Sequence, residues 1–211
     1  MDRRFLLGAA LIAAVLMTVG FLGADRPLAE WVHASGIANA RFFDWGLYAL
    51  DTVSGMRFWI FAIGWIAIVA GAIELRSGRR IRLGHTLLTA GIVQLAALET
   101  MVAGKDFFGR HRPYEVLASG DWTQVWFAGG GSFPSGHSAF YFGLLLPLAA
   151  ACPIRWLRYV LVAIPVYVVL ARIDLEKHFL SDVSASALMV ALYALFAAWL
   201  TERWLPAPKR A

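Results

Sequence analysis

Six stretches of this chain, about residues 5–23, 58–75, 84–103, 137–151, 158–173 and 183–201, are almost uninterruptedly apolar. Each is near, or slightly below, the roughly 20 residues that carry an α-helix across a bilayer. Hydrocarbon offers a backbone no water to bond, so a spanning segment satisfies its own amides as a helix. A composition of 60% hydrophobic and 16% charged residues is also outside the range of a soluble domain of 211 residues. The expected fold is all-α, a six-helix transmembrane bundle forming one integral domain over residues 1–211. No period of 20–50 residues repeats, and no charged region stands apart as a second domain. The first run can also be read as a signal peptide behind Arg3 and Arg4. However, it is long, and Leu22 stands where cleavage after Ala24 would want a small residue, so a retained helix is favoured.

Several tryptophans (Trp31, Trp45, Trp59, Trp156, Trp199, Trp204) lie near the ends of the runs, where interfacial aromatics anchor. The single cysteine, Cys152, excludes an intrachain disulfide and a thiolate metal site. Positively charged short loops stay in the cytoplasm. Arg3 and Arg4, the group Arg76, Arg79, Arg80 and Arg82, the pair Arg155 and Arg158, and the tail with Arg203, Lys209 and Arg210 would all be inside, eleven of the nineteen lysines and arginines. Both termini are then cytoplasmic. The net charge of +5 reads as topology, since no basic stripe with interleaved aromatics stands free of the membrane to bind nucleic acid.

That orientation brings three polar clusters to the outer face. They are residues 105–113 (Lys-Asp-Phe-Phe-Gly-Arg-His-Arg-Pro), 134–137 (Pro-Ser-Gly-His) and 172–182 (Arg-Ile-Asp-Leu-Glu-Lys-His-Phe-Leu-Ser-Asp). Lys105, Arg112 and Arg172 supply three cations, two of them planar forks suited to phosphoryl oxygens. Ser135 is placed to cap the fourth helix, which turns the amides of Gly136 and His137 outward, where a helix N-terminus favours an anion. His178 and Asp182 are four apart, on one face of a helical start. The carboxylate is thus expected to take a hydrogen bond from one ring nitrogen and leave the other as a nucleophile. His137, from a different helix, is available as acid and base.

Lys-x6-Arg-Pro, Pro-Ser-Gly-His and Arg-x5-His-x3-Asp, in this order, resemble the three signature motifs of the type 2 phosphatidic acid phosphatase superfamily, which includes bacterial lipid phosphatases and the vanadium haloperoxidases. The motifs cover a little over a third of the chain. One departure is Ala171, where the family usually has serine before the arginine.

The resemblance implies a hydrolase with no cofactor and no metal. His178 attacks phosphorus, His137 protonates the departing oxygen and later deprotonates water, and Asp182 orients His178. Lys105, Arg112, Ser135, Gly136 and Arg172 hold the phosphate. It also implies a lipid phosphate or diphosphate as substrate (phosphatidic acid, phosphatidylglycerol phosphate, lipid A or undecaprenyl diphosphate), a bacterial inner (cytoplasmic) membrane location, and a site facing the periplasm.

A transporter would instead show charged or broken segments at mid-bilayer, often in paired repeats. A non-catalytic anionic-lipid-binding protein would need the cations but not a histidine–aspartate pair with a second histidine. Outside the motifs, Glu99 is an intramembrane carboxylate and by default a candidate for a supporting role. His33 and His85 are expected at interfaces, and Arg110 and His111 at the mouth of the site. Asp174, Glu176 and Lys177 are expected on a solvated surface. Specificity is assigned to the loops 25–57 and 114–133. The fourth and fifth runs are short, which would sink their outer ends to headgroup depth.

Overall fold

The computed structural model describes residues 1–35, 38 and 40–204. Every regular element among them is helical. The elements are α1 (Arg3–Val19), a π-helical turn (Gly20–Ala24), α2 (Asp25–Ala34), α3 (Arg41–Val53), α4 (Ala62–Ser77), α5 (Ile81–Phe108), α6 (Pro113–Ser119), α7 (Gly136–Ala151), α8 (Arg155–Asp174) and α9 (Leu180–Trp204). Each of the six apolar runs contains a helix, although residues 58–61 at the start of the second lie outside α4. The connecting segments add α2, α3 and α6, which periodicity alone did not mark because they are short and partly polar.

Four helical stretches are long and apolar enough to cross a membrane: Arg3–Ala34, Ile81–Ser119, Arg155–Asp174 and Leu180–Leu200. The fourth run is indeed short, α7 having 16 residues, about 24 Å at 1.5 Å per residue. The fifth is longer than expected, because α8 takes in polar residues at both ends and reaches 20 residues, about 30 Å.

α5 sits at the centre, against α4, α7 and α9, while α1 lies along α9 and α8 along α7. The packing relies on small residues, as helix association in lipid does. Ala97, Ala139, Ala171, Ala191 and Ala194 are fully buried around Leu6, Leu98, Phe140 and Val168. Between α4 and α5 the backbones nearly touch, and a Cβ on Gly91 would stand 2.5 Å from the Gly64 carbonyl oxygen. The outer surface carries large apolar side chains such as Leu11, Trp65, Ile66, Val166 and Leu192, a surface made for hydrocarbon. An apolar crevice of about 550 Å³ opens between α1, α7, α8 and α9, lined by Ile12, Leu16, Leu146, Val166 and Leu170.

Chain direction gathers the three motifs at one end. The C-termini of α5 and α8 and the N-termini of α7 and α9 meet there. Arg3, Arg4, Arg76, Arg79, Arg80, Arg82, Arg155 and Arg158 collect at the opposite end, where Asp2 bonds Arg158 at 3.1 Å and its amide bonds the Ala150 carbonyl. Lys209 and Arg210, counted with that group, lie outside the described residues.

Candidate active site

Helix ends dictate what this face presents. The first amides of a helix have no partner within it, and at α7 Ser135 meets only part of that need, its Oγ accepting from Ser138 N at 3.5 Å. Ser135 and Gly136 are buried. Lys105 stands in the last turn of α5, and a Cβ on Gly136 would lie 3.8 Å from its Nζ. Arg112 caps α6, with its Nη2 3.8 Å from where a Cβ on Gly131 would stand. Arg172 ends α8 and accepts from the amides of both Lys177 and His178, which tightens the turn into α9.

Lys105, Arg112 and Arg172 lie close enough for their charges to act on one another, and Lys105 and Arg172 act on both His137 and His178. None of the three cations is paired with a carboxylate among the described residues, and Arg172 Nε is buried without a hydrogen bond. Asp51 and Asp182 act on Arg172 and Lys105 only from beyond contact, so the like charges still repel and the arrangement is one that an anion relieves.

His178, 2% exposed, precedes α9. Its Nδ1 lies 2.8 Å from the carbonyl oxygen of Ser132 and 3.7 Å from Asp182 Oδ2. The hydrogen bond expected to run to Asp182 thus goes to a backbone carbonyl, because the Asp182 carboxylate is taken up elsewhere. It accepts from Ser132 Oγ at 2.5 Å, Phe179 N at 2.8 Å and Arg110 Nη1 at 2.5 Å. Asp182 therefore braces the residues on either side of the imidazole, and reaches it at one remove. Burial pushes His178 down to about 3, with the charges of Arg172 and Lys105 acting the same way and Asp182 opposing. A neutral ring that donates from Nδ1 keeps its lone pair on Nε2.

Several residues here escaped the sequence reading. Arg110 is buried, 4% exposed, and does not line a mouth. It joins Asp182 and Ser181 through Nη1 and Asp25 through Nη2 at 2.7 Å, sandwiched between Trp126 and Phe179. Asp25 also receives the Ser181 amide at 2.9 Å and the Ser181 hydroxyl. Loop 128–132 is drawn against Arg110, and only glycine fits at Gly130, where a Cβ would collide with the Arg110 carbonyl.

Asp174 and Glu176 are buried rather than solvated, since Asp174 accepts from Ala40 N at 3.0 Å and Glu176 contacts His33 at 2.9 Å. Glu99 is exposed on α5. His137 Nε2 lies 2.9 Å from Asp51 Oδ2 of α3. A polar residue on an otherwise apolar helix face was the available signal for Asp51, and the place of Asp25 directly after a long apolar run was the signal for that one. Among the described residues, no group of three or more His, Cys, Asp or Glu is arranged to hold a metal.

No curated protein and no solved structure matches this sequence. A family model, that of the PAP2 superfamily, matches residues 81–206, a segment that contains all three clusters and more than half of the chain. With that match over the residues that build the site, the chain belongs to the PAP2 superfamily.

Proposed function

We propose that this protein is a membrane phosphatase with six spans that removes phosphate from a lipid phosphate or diphosphate. PAP2-superfamily proteins are in general phosphatases, which supports a hydrolase. The observation that carries the reading is the set of unpaired cations, Lys105, Arg112 and Arg172, gathered around two histidines, His137 in the first turn of α7 and His178 just before α9. With the amides of Gly136 and His137 and the hydroxyl of Ser135, they form a cradle for the equatorial oxygens of a phosphoryl group, where charge develops during transfer.

In this reading His178 Nε2 attacks phosphorus in line. Protonated His137 gives its proton to the departing oxygen, and a phosphohistidine forms. His137 then takes a proton from water, which attacks the phosphohistidine and frees phosphate. Asp182 keeps the His178 ring in place through Ser132 and Phe179. The fixed cations supply the charge compensation that divalent ions supply in many phosphoryl-transfer enzymes.

The shortness of α7 and the location of the cradle at its N-terminus support a site at headgroup depth, reached sideways from the bilayer, and the arginines gathered at the opposite end of the bundle support the outer, periplasmic side of a bacterial inner membrane. A ligand-binding protein without turnover is the other class, and the pairing of a neutral, pinned histidine with a second histidine favours the enzyme.

The test is phosphate release by purified protein in mixed micelles, comparing a panel of long-chain lipid phosphates with short soluble esters bearing the same headgroup, with and without chelator and vanadate. A preference of at least about tenfold for the lipids, activity that survives chelator, and inhibition by vanadate are expected. Absence of release from every lipid would overturn the reading.

A further inference from the structure

α3 carries a carboxylate where an amphipathic helix should be apolar. Leu47, Leu50, Asp51 and Ser54 follow at three- and four-residue spacing, on one face. Leu47 is buried there, and Leu50 packs against the core. A carboxylate in such company requires hydrogen bonds, and both oxygens of Asp51 have them. Oδ2 pairs with His137 Nε2 at 2.9 Å, and Oδ1 accepts from Tyr141 OH at 2.9 Å. With its one proton so committed, Tyr141 OH accepts from Ser54 Oγ at 3.0 Å. His137 and Tyr141 are four apart on α7, so one carboxylate clamps one face of that helix at its first turn. Asp51 lies outside residues 81–206, the segment the family match covers.

An ionised carboxylate only accepts hydrogen bonds. Nε2 of His137 therefore carries the hydrogen, and Nδ1 is the nitrogen left for proton exchange. The other charges acting on the His137 ring are cations from two elements, Lys105 of α5 and Arg172 of α8, while Arg112 acts on both of these and Asp182 on Lys105. An imidazolium formed among them gains from an adjacent counter-charge, and Asp51 is the carboxylate in contact with the ring.

We propose that Asp51 is the positioning residue of His137. It fixes the ring through Nε2, reserves Nδ1 for the proton that passes to the departing oxygen and returns from water, and balances the imidazolium. The assignment rests on the acid–base role given to His137 above. The proton on Nδ1 of the imidazolium goes to the oxygen released in the first step, and the neutral ring recovers one from the attacking water in the second.

The experiment uses the full chain in detergent, with wild type, Asp51→Asn, Asp51→Glu and His137→Ala compared on long-chain phosphatidic acid in mixed micelles. Vanadate binding and ¹⁵N spectra of histidine-labelled wild type are recorded alongside. In Asp51→Asn, kcat should fall roughly 10- to 100-fold, the loss of a charged hydrogen bond, while KM stays within about threefold. Asp51→Glu should recover most of the lost kcat, and the His137 signals should report hydrogen on Nε2. Full activity in Asp51→Asn, or hydrogen found on Nδ1, would overturn the assignment while leaving the phosphatase reading intact. Equal losses in both Asp51 variants together with lost vanadate binding would make Asp51 structural and overturn it too. Full activity in His137→Ala would remove the acid–base role itself, and the Asp51 assignment with it.

Discussion

The buried imidazole of His178 donates from Nδ1 to the carbonyl oxygen of Ser132, 2.8 Å away. The nucleophile proposed for this site is thus aimed by backbone, and the Ser132 side chain ties that backbone to Asp182 at 2.5 Å.

Ser132→Ala keeps the carbonyl and deletes the hydroxyl. Losing one hydrogen bond to a charged group is worth about 1.5–3 kcal/mol, so phosphate release should fall roughly 10- to 100-fold. His178→Ala should abolish it. A Ser132→Ala protein with full kcat would show that the Asp182 brace does not bear on catalysis.

The pH dependence of stability has a definite sign. His178 is held near 3 in the folded protein against an ordinary value of 6.5. The unfolded chain takes up this proton first, so the contribution is complete above pH 6.5 and is lost as pH falls toward 3. One unit below 6.5 the loss is about 1.4 kcal/mol. Thermal unfolding in detergent at about pH 7 and pH 5.5 should show a larger decrease for wild type than for His178→Gln. Equal decreases would mean that the ring does not stay neutral on folding.

Arg110 and Arg172 are both buried or nearly so, yet their removal should have opposite effects. Arg110→Ala leaves Asp25 and Asp182 without their cation, which for a buried pair costs about 3–5 kcal/mol. Arg172→Ala removes a charge from a mutually repelling set, so the unliganded protein should be as stable as wild type or more so. Vanadate inhibition should weaken roughly 10- to 100-fold. Thermal unfolding with and without vanadate separates the two, and a strongly destabilised, unliganded Arg172→Ala protein would contradict the unpaired state of that cation.

Orientation is read from labelling in intact cells. In a Cys152→Ser background, Thr123→Cys should react with an impermeant thiol reagent from outside and Arg79→Cys only after permeabilisation, both positions being exposed. The reverse pattern would place the phosphate site in the cytoplasm.

The long helices were legible because a twenty-residue apolar run has one structural solution in lipid. The cluster residues were legible because helix ends need partners and three cations need an anion. Asp51, Asp25 and Arg110 were not. Each draws its meaning from a residue far along the chain, Asp51 from His137 and Asp25 from Ser181, and no local period encodes such a pairing. Asp182 was assigned the right neighbourhood and the wrong hydrogen bond, because spacing of four places a carboxylate beside a histidine without saying which of its other neighbours will compete. Asp174 and Glu176 look like surface charges until α2 and the segment before α3 fold over them.

The contact between Asp25 and Ser181 joins residues 156 positions apart, so it forms only once both are in the chain. During synthesis the helix bearing Asp25 is made first and the one bearing Ser181 and Asp182 last, with Arg110 between them. Gly20 makes the meeting possible, since a Cβ there would stand 2.9 Å from the Ser181 amide nitrogen. Each hydrophobic segment can enter the bilayer on its own, but the charged knot closes only when the final helix docks against the first. A chain that stops short of Ser181 therefore lacks the knot, and with it the brace that Asp182 and Arg110 set on the residues beside His178.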